Sequence, residues 1–217
     1  MKEKTITFDS FTLHYTIDGE KWALSLPKSE TRVDSLQQLT FITQENDYFV
    51  PLVIEEQEDS YHFTFQMDAN MKRWKEIEGL SRNEKLRALY NMTKLFNLAK
   101  TRTSFFIHPE NIVFDGNLLP KLIFHGIKNY VPPFEMSDED LLTQFKCAIL
   151  SLFHTKYSFH DLYNGSLEKA NETEFQRTIL KIDNLEELPT FLKTSYQKEQ
   201  AKTEQTMIQV PKKRFNT

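Results

Sequence analysis

The sequence predicts an α+β fold with a small strand-rich N-terminal lobe and a reduced helical C-terminal lobe. Two observations carry this prediction. Apolar and polar residues alternate through much of the first 68 positions, which is the period of strands with one buried face. Beyond them, apolar residues recur at helical spacing behind helix-capping signals. We expect the β-rich lobe at 1–78, the helical lobe at 79–195 and a polar, basic tail at 196–217.

The first third of the chain is predicted to form a small twisted sheet. Positions 11–17 alternate, Asp18-Gly19 favours a tight turn, and positions 22–26 alternate again, as in a hairpin. Further strands are predicted at 40–42, 48–50, 52–54 and 61–67. Pro51 has no amide proton to donate, so it favours an edge strand or a bulge beside 52–54.

Helices are predicted from residue 71 onwards. A short one is expected at 71–80, and the capping box Ser81–Glu84 opens a longer one with an apolar face. A second capping signal at 137–140 precedes 141–153, which is apolar almost all round and therefore expected to be buried. Two last helices are expected to open at Asn-x-x-Glu signals, at 171–174 and 184–187.

Composition excludes several classes of protein. The 217 residues are 39% hydrophobic and 27% charged, as in a globular protein with a sizeable core. The formal charge of -4 gives no indication of the basic surface that nucleic-acid-binding proteins have. Cys147 is the single cysteine, so we expect no disulfide framework and no zinc cluster, and a buried thiol. We expect no signal peptide, and no apolar run reaches the roughly 18 residues that a spanning helix needs.

The stretch from Ile107 to Gly126 is the most informative part of the chain. In a protein kinase, the catalytic-loop Asp lies five residues before the loop Asn, and a second Asp, in D-F-G, binds magnesium. Here 109–113 matches the Pro-x-Asn-Ile-Leu part of that loop, and 121–123 matches the strand before D-F-G. The pattern predicts a protein-kinase-like fold.

Both kinase carboxylates are missing from this stretch. The H-R-D triplet is Ser104-Phe105-Phe106, with Phe106 in the place of the catalytic Asp, and the D-F-G triplet is Phe124-His125-Gly126. The first 78 residues hold one glycine, Gly19, and therefore no glycine-rich phosphate loop. At the lysine strand, the nearest match ends in Glu55, which has the wrong charge. We predict a pseudokinase without catalytic, cofactor-binding or metal-binding residues.

Each candidate residue has a plainer interpretation. A simple hairpin around Asp115-Gly116 would produce much of the loop pattern. Asn111 could bind a metal, but holding the loop through backbone hydrogen bonds is the favoured role. His125 is expected to be a packed core residue. The spacing of His154 and His160 does not place both on one helical face, so we expect surface residues and no metal site.

With the degenerate loop in view, the chain resembles the EssB (YukC) family of type VII secretion systems in Gram-positive bacteria. The resemblance is strongest from residue 80 to residue 215, and strand-rich character alone supports it before that. Its carriers are Arg82–Arg87, Asn97–Arg102, Pro109–Val113, Gly126–Asn129, Pro132-Pro133, Tyr196–Lys198 and the basic cluster Lys212–Arg214.

The resemblance implies a cytoplasmic pseudokinase-like domain that acts as a scaffold on the cytoplasmic side of the cell membrane. A spanning helix is then expected just after Phe215. The implied partners are a membrane-bound FtsK/SpoIIIE-type secretion ATPase, other membrane subunits and a second copy of the chain, as a homodimer. Two alternatives stay open: a divergent small-molecule or protein phosphotransferase with relocated acids, and a soluble adaptor that has no membrane helix.

Overall fold

The computed structural model describes residues 1–208. Its strands, in chain order, are β1 Lys2–Phe8, β2 Phe11–Asp18, β3 Lys21–Pro27, β4 Leu52–Glu56, β5 Ser60–Gln66, β6 Lys72–Arg73, β7 Thr103–Ser104, β8 Ile112–Phe114, β9 Pro120–Leu122 and β10 Gly126–Ile127. Its helices are α1 Thr40–Thr43, α2 Trp74–Glu78, α3 Arg82–Met92, α4 Asp138–Leu152, α5 Phe159–Asp161, α6 Glu174–Lys181 and α7 Glu187–Ile208.

The N-terminal lobe is a five-stranded antiparallel sheet in the order β1-β2-β3-β5-β4. The predicted β2–β3 hairpin is present, and Gly19 takes a φ of 59° in its turn, which glycine adopts without steric cost. Burial alternates along these strands, as the sequence pattern requires. Pro51 precedes β4, the edge strand, so the expectation of an edge is confirmed.

Two predicted strands are wrong or incomplete. Residues 40–42 belong to α1, because Leu39 and Ile42, three positions apart, are both buried at helical spacing. Residues 48–50 do not enter the five-stranded sheet. Phe49 instead forms a single parallel bridge with Leu122, in the other lobe.

The helical lobe begins with the predicted capping box. The Glu84 amide donates to Ser81 Oγ at 3.3 Å, and the Ser81 amide donates to Glu84 Oε2 at 3.0 Å. After Met92 the helix tightens into a 3₁₀ segment that ends at Lys100. A second predicted cap is present at the start of α4, where Ser137 accepts from the Asp140 amide at 3.0 Å. The buried residues of both lobes form one continuous core.

The later helices modify the sequence expectations. The cap of α6 is Thr173 rather than Asn171, since Thr173 Oγ1 accepts from the Gln176 amide. Asn184 accepts from the Glu187 amide at the start of α7, as predicted. α7 packs on α3 and continues past residue 196, where we expected the polar tail to begin, as far as Ile208.

The expected basic cluster Lys212–Arg214 and the membrane segment beyond it lie outside the described residues. Within residues 1–208, none of the helices combines the length and the apolar character that crossing a bilayer requires.

Candidate functional site

Asn111 holds the predicted kinase-like loop together. It ends a 3₁₀ turn, Pro109–Asn111, immediately before β8, and its side chain is fully buried. Asn111 Nδ2 donates to the Phe124 carbonyl at 2.9 Å, and the Phe124 amide donates back to Asn111 Oδ1 at 2.8 Å. The side chain therefore binds backbone with both its donor and its acceptor, which agrees with the favoured interpretation of the sequence.

Phe106 lies in an aromatic cluster that joins the two lobes. Its ring stacks on Phe8 at 4.9 Å between centroids, with an interplanar angle of 28°, and meets the edge of Phe11 at 5.1 Å. Phe8 also stacks on Tyr163, at 5.2 Å. Phe105, the preceding residue in the chain, is also buried. The loop position that we aligned with the catalytic Asp is therefore filled by packed rings.

The turn between β1 and β2 closes over this aromatic cluster. Asp9 takes a left-handed φ of 45° in the turn, and its Oδ2 accepts a hydrogen bond from the Tyr163 hydroxyl at 2.9 Å. Burial and the Asp9 carboxylate both raise the pKa of Tyr163, so the hydroxyl stays protonated and remains a donor. An aromatic stack and a polar contact thus fasten the first hairpin to the segment after α5.

Phe124 and His125 are both core residues. Phe124 contacts Phe63 of β5 with ring centroids 5.9 Å apart. The His125 ring stacks on Phe49 at 3.6 Å with an interplanar angle of 10°, and neither of its nitrogens makes a hydrogen bond of good geometry within residues 1–208. Burial lowers the pKa of His125 to about 3, against a smaller opposing effect of the Ile42 carbonyl. His125 is therefore neutral at pH 7, and the expectation of a packed core residue is confirmed.

Gly126 is required by the close approach of two chain segments. It pairs with Ser104 between β10 and β7, and Ser104 Oγ donates to the Val131 carbonyl at 3.3 Å. A Cβ on residue 126 would lie 2.6 Å from Ser104 Oγ and closer still to the carbonyls of Val131 and Pro132. Ser104 is thus a buried structural residue, and only glycine fits beside it.

Two residues of the site were missed by the sequence analysis. Gln144 of α4 is buried, and its Oε1 accepts a hydrogen bond from the Ile107 amide at 2.8 Å. This bond ties the start of the kinase-like stretch to α4. The available signal was a polar residue among the apolar residues that form the buried face of α4. His108 packs edge-on against Phe159, and burial, Lys4 and His160 lower its pKa to about 4. His108 lies inside the kinase-like stretch, but the sequence analysis assigned it no role.

The expectations for the remaining candidates were partly right. Cys147 is buried in α4, and burial raises the pKa of its thiol to about 12. His160 is exposed, as expected, but the side chain of His154 is only 2% exposed, so it is not a surface residue. It packs on Tyr157, and Nε2 lies 3.6 Å from Glu172 Oε1. Among residues 1–208, no group of His, Cys, Asp and Glu is arranged to hold a metal ion.

A family model and several known proteins are similar to this chain. A family model described as "WXG100 protein secretion system (Wss), protein YukC" matches residues 26–217. The type VII secretion system protein EssB of Staphylococcus aureus strain USA300 is 29% identical over 187 residues, which are 86% of this chain and 42% of that protein. The chain therefore spans less than half the length of this curated relative.

Solved structures support the same assignment. The cytoplasmic fragment of S. aureus EssB has a TM-score of 0.72 and 28% identity, covering 80% of this chain and 99% of that one. The fragment from Geobacillus thermodenitrificans has a TM-score of 0.79 and 22% identity, covering 91% and 94%. Rad53 1–466 in complex with AMP-PNP, at 15% identity and a TM-score of 0.51, covers 88% of this chain and 65% of that one.

These matches confirm the predicted fold class, an α+β fold of the protein-kinase type. They also confirm the family resemblance that the loop and its flanking segments indicated. Since the family model covers most of the chain, the chain belongs to the YukC family of the WXG100 protein secretion system, the family that includes the EssB proteins of type VII secretion.

Proposed function

We propose that this chain is a non-catalytic pseudokinase domain that serves a type VII secretion system as a protein–protein interaction scaffold. One observation carries the proposal. Phe106, which aligns with the catalytic Asp, is buried between Phe8 and Phe11, so packed rings stand where a kinase positions its catalytic carboxylate.

The chemistry of phosphoryl transfer supports this proposal. A kinase needs one Asp to accept the proton of the attacking hydroxyl and a second Asp, with the loop Asn, to hold magnesium. Phe106 and Phe124 carry no charge, and both polar atoms of the Asn111 amide already bind the Phe124 backbone. A kinase also covers the nucleotide phosphates with a glycine-rich loop. The corresponding turn here is held down by the contact between Asp9 and Tyr163.

The cellular setting is proposed from the relatives. The similar solved structures are cytoplasmic fragments of EssB, so we place this domain on the cytoplasmic side of the membrane, with a spanning helix after Phe215. We propose that it contacts the membrane-bound FtsK/SpoIIIE-type ATPase and other membrane subunits, and that it dimerises. With no catalytic role assigned to the core, the working part of the domain would be its surface.

A thermal-shift titration with ATP, with and without magnesium, tests the non-catalytic role. A ligand at 100 times its dissociation constant adds roughly 2.7 kcal/mol to the free energy of unfolding. We expect no magnesium-dependent rise in Tm at millimolar ATP, with EDTA in place of magnesium as the control. A clear magnesium-dependent rise would show that other residues replace the missing acids, and it would reopen the phosphotransferase alternative.

Co-purification tests the scaffold role. The tagged domain is expected to retain the secretion ATPase from detergent-solubilised membranes, and light scattering of the isolated chain should give the mass of two copies. Phe106→Leu serves as the control variant, because the substitution changes the buried loop and leaves the surface intact. Loss of the ATPase from both the natural chain and the variant would contradict a scaffold role for this domain.

A further inference from the structure

A small cationic cleft lies between the two lobes, at the other end of β1 from the aromatic cluster. Its volume is about 190 Å³. The side chains that line it include Lys4 of β1, Arg73 and Lys75 at the connection between the lobes, and Glu110 of the loop. Three cations and one carboxylate therefore share this space, and positive charge is in excess.

The two best-placed cations converge on one buried indole. Lys4 Nζ lies 5.1 Å and Arg73 Cζ 4.9 Å from the ring centroid of Trp22, which is 1% exposed. Lys4 pairs with Glu110, whereas Arg73 forms no ion pair within residues 1–208. Burial and the charge of Arg73 both lower the pKa of Lys4. The fold thus holds two like charges together, a repulsion that a bound anion would relieve.

Two tryptophans with unpartnered indole nitrogens line the same cleft. Trp22 and Trp74 both line it, and both are more than nine-tenths buried. Neither indole Nε1–H has a hydrogen-bond acceptor within the described part of the chain. Buried donors in proteins are nearly always paired, so two orphan indole groups beside one cleft are unusual. Both nitrogens have almost no accessible surface, so the charged side chains are the groups that a molecule in the cleft can reach.

We propose that this cleft binds a small oxyanion, through a carboxylate or phosphate group held by Arg73 and Lys4 above Trp22. Guanidinium and ammonium groups are the usual partners of such oxygens, and charge-assisted hydrogen bonds are the strong ones. The cleft is smaller than the roughly 300 Å³ at which pockets for drug-sized ligands begin, so it accommodates one anionic group and not a nucleotide. This inference does not rest on the scaffold role.

Tryptophan fluorescence of the 217-residue chain tests the proposal directly, because Trp22 and Trp74 are its only tryptophans and both line the cleft. The chain is titrated with inorganic phosphate and, separately, with succinate, while chloride keeps the ionic strength constant. We expect a saturable change in emission. A response to phosphate alone identifies a phosphate site, and a response to succinate alone or to both identifies a carboxylate-accepting site.

Three variants separate specific binding from a general salt effect. Arg73→Gln should weaken binding about tenfold, the loss expected for one charge-assisted contact. Glu110→Gln should tighten binding, because it frees Lys4 from its carboxylate partner. Arg102→Gln is the matched control. The Arg102 guanidinium also lies over an aromatic ring, 5.4 Å from the centroid of Phe41, but outside the cleft. The Arg102→Gln variant should therefore bind the anion with the same affinity as the natural chain.

The proposal is overturned by a linear change in emission that chloride reproduces. It is equally overturned if Arg73→Gln and Arg102→Gln titrate alike, or if Glu110→Gln weakens binding. Because the Arg73 side chain is exposed and the cap of α2 uses its backbone amide, the variant should fold with an unchanged Tm. That Tm is measured first, so a loss of binding is not confused with a loss of structure.

Discussion

The two ends of strand β1 have different surroundings, although the side chains involved lie on the same face of the strand. Lys4, Ile6 and Phe8 are every second residue of the strand and therefore share one face. That face lies toward the second lobe, since Phe8 contacts Phe106 and Lys4 contacts Glu110. At the Phe8 end, the rings of Phe106 and Tyr163 and the hydrogen bond from Tyr163 to the first turn close the space. At the Lys4 end, charged side chains line an open cleft. Aromatic rings therefore pack together at one end of the strand, and charged side chains surround the other end.

A buried charge at the closed end should produce the largest effect. Phe106→Asp removes a packed ring and places a carboxylate among apolar rings, so the free energy of unfolding should fall by at least about 4 kcal/mol. Urea denaturation measures it. Val53→Asp, on a strand position that is 62% exposed, is the control and should cost no more than about 1 kcal/mol. Equal losses for the two variants would refute the view that the loop has become core.

Glycine substitutions separate close packing from general strain. Gly126→Ala forces a Cβ against Ser104 Oγ and two backbone carbonyls, so we expect a loss of about 1–3 kcal/mol. Gly116→Ala has no atom within 4 Å of the added Cβ and should leave the stability unchanged or slightly higher. Thermal unfolding of both variants checks this. A larger loss at residue 116 than at residue 126 would contradict the packing described for β7 and β10.

Acid should destabilise the lobe interface through His125. Its pKa is about 3 in the folded chain against the usual 6.5, so the unfolded state binds the extra proton between these values. Stability is therefore retained above pH 6.5 and lost as the pH falls toward 3, by up to about 1.4 kcal/mol per pH unit.

The variant His125→Phe should flatten that slope, because a phenyl ring can keep the stacking on Phe49 and cannot be protonated. The measurement is urea unfolding at several pH values from 7 to 4. His14→Gln, at an exposed position, is the control. An unchanged slope in His125→Phe would mean that other groups, such as His108, control the acid response.

The polar contact at the closed end should contribute less than the rings. Tyr163→Phe keeps the stack on Phe8 and removes the hydrogen bond to Asp9, so we expect a loss of about 1 kcal/mol in urea unfolding. Tyr130→Phe, at a half-exposed position, is the matched control and should differ from the natural chain by less than about 0.5 kcal/mol. Similar losses of stability in the two variants would mean that the aromatic stacking alone holds the first hairpin to the second lobe.

Charge removal at the open end should have the smallest effect on stability. Lys4→Gln breaks the ion pair with Glu110 in a partly exposed setting, where such pairs contribute less than about 1 kcal/mol. Calorimetric Tm measurement should find almost no change. A loss as large as that of Phe106→Asp would mean that both ends of β1 are structural, and the contrast between them would fail.

The local elements of this fold could be predicted because their signals lie within a few residues. The caps of α3 and α4 follow from Ser-x-x-acid patterns, and the β2–β3 turn follows from Gly19. Where two local signals compete, sequence reasoning fails: both Asn171 and Thr173 could cap α6, and Thr173 does. Residues 40–42 have strand-forming side chains, yet burial of Leu39 and Ile42 on one side makes them helical.

The sequence by itself determined the kinase-like loop, the absence of carboxylates at Phe106 and Phe124, and the family, since these depend on residue identity at fixed spacing. Only the tertiary structure decided which distant residues meet. Phe8 reaches Phe106, Asp9 reaches Tyr163 and Lys4 reaches Glu110, each across about a hundred positions or more. No periodicity encodes such pairs, because they form when the core of both lobes closes the intervening chain.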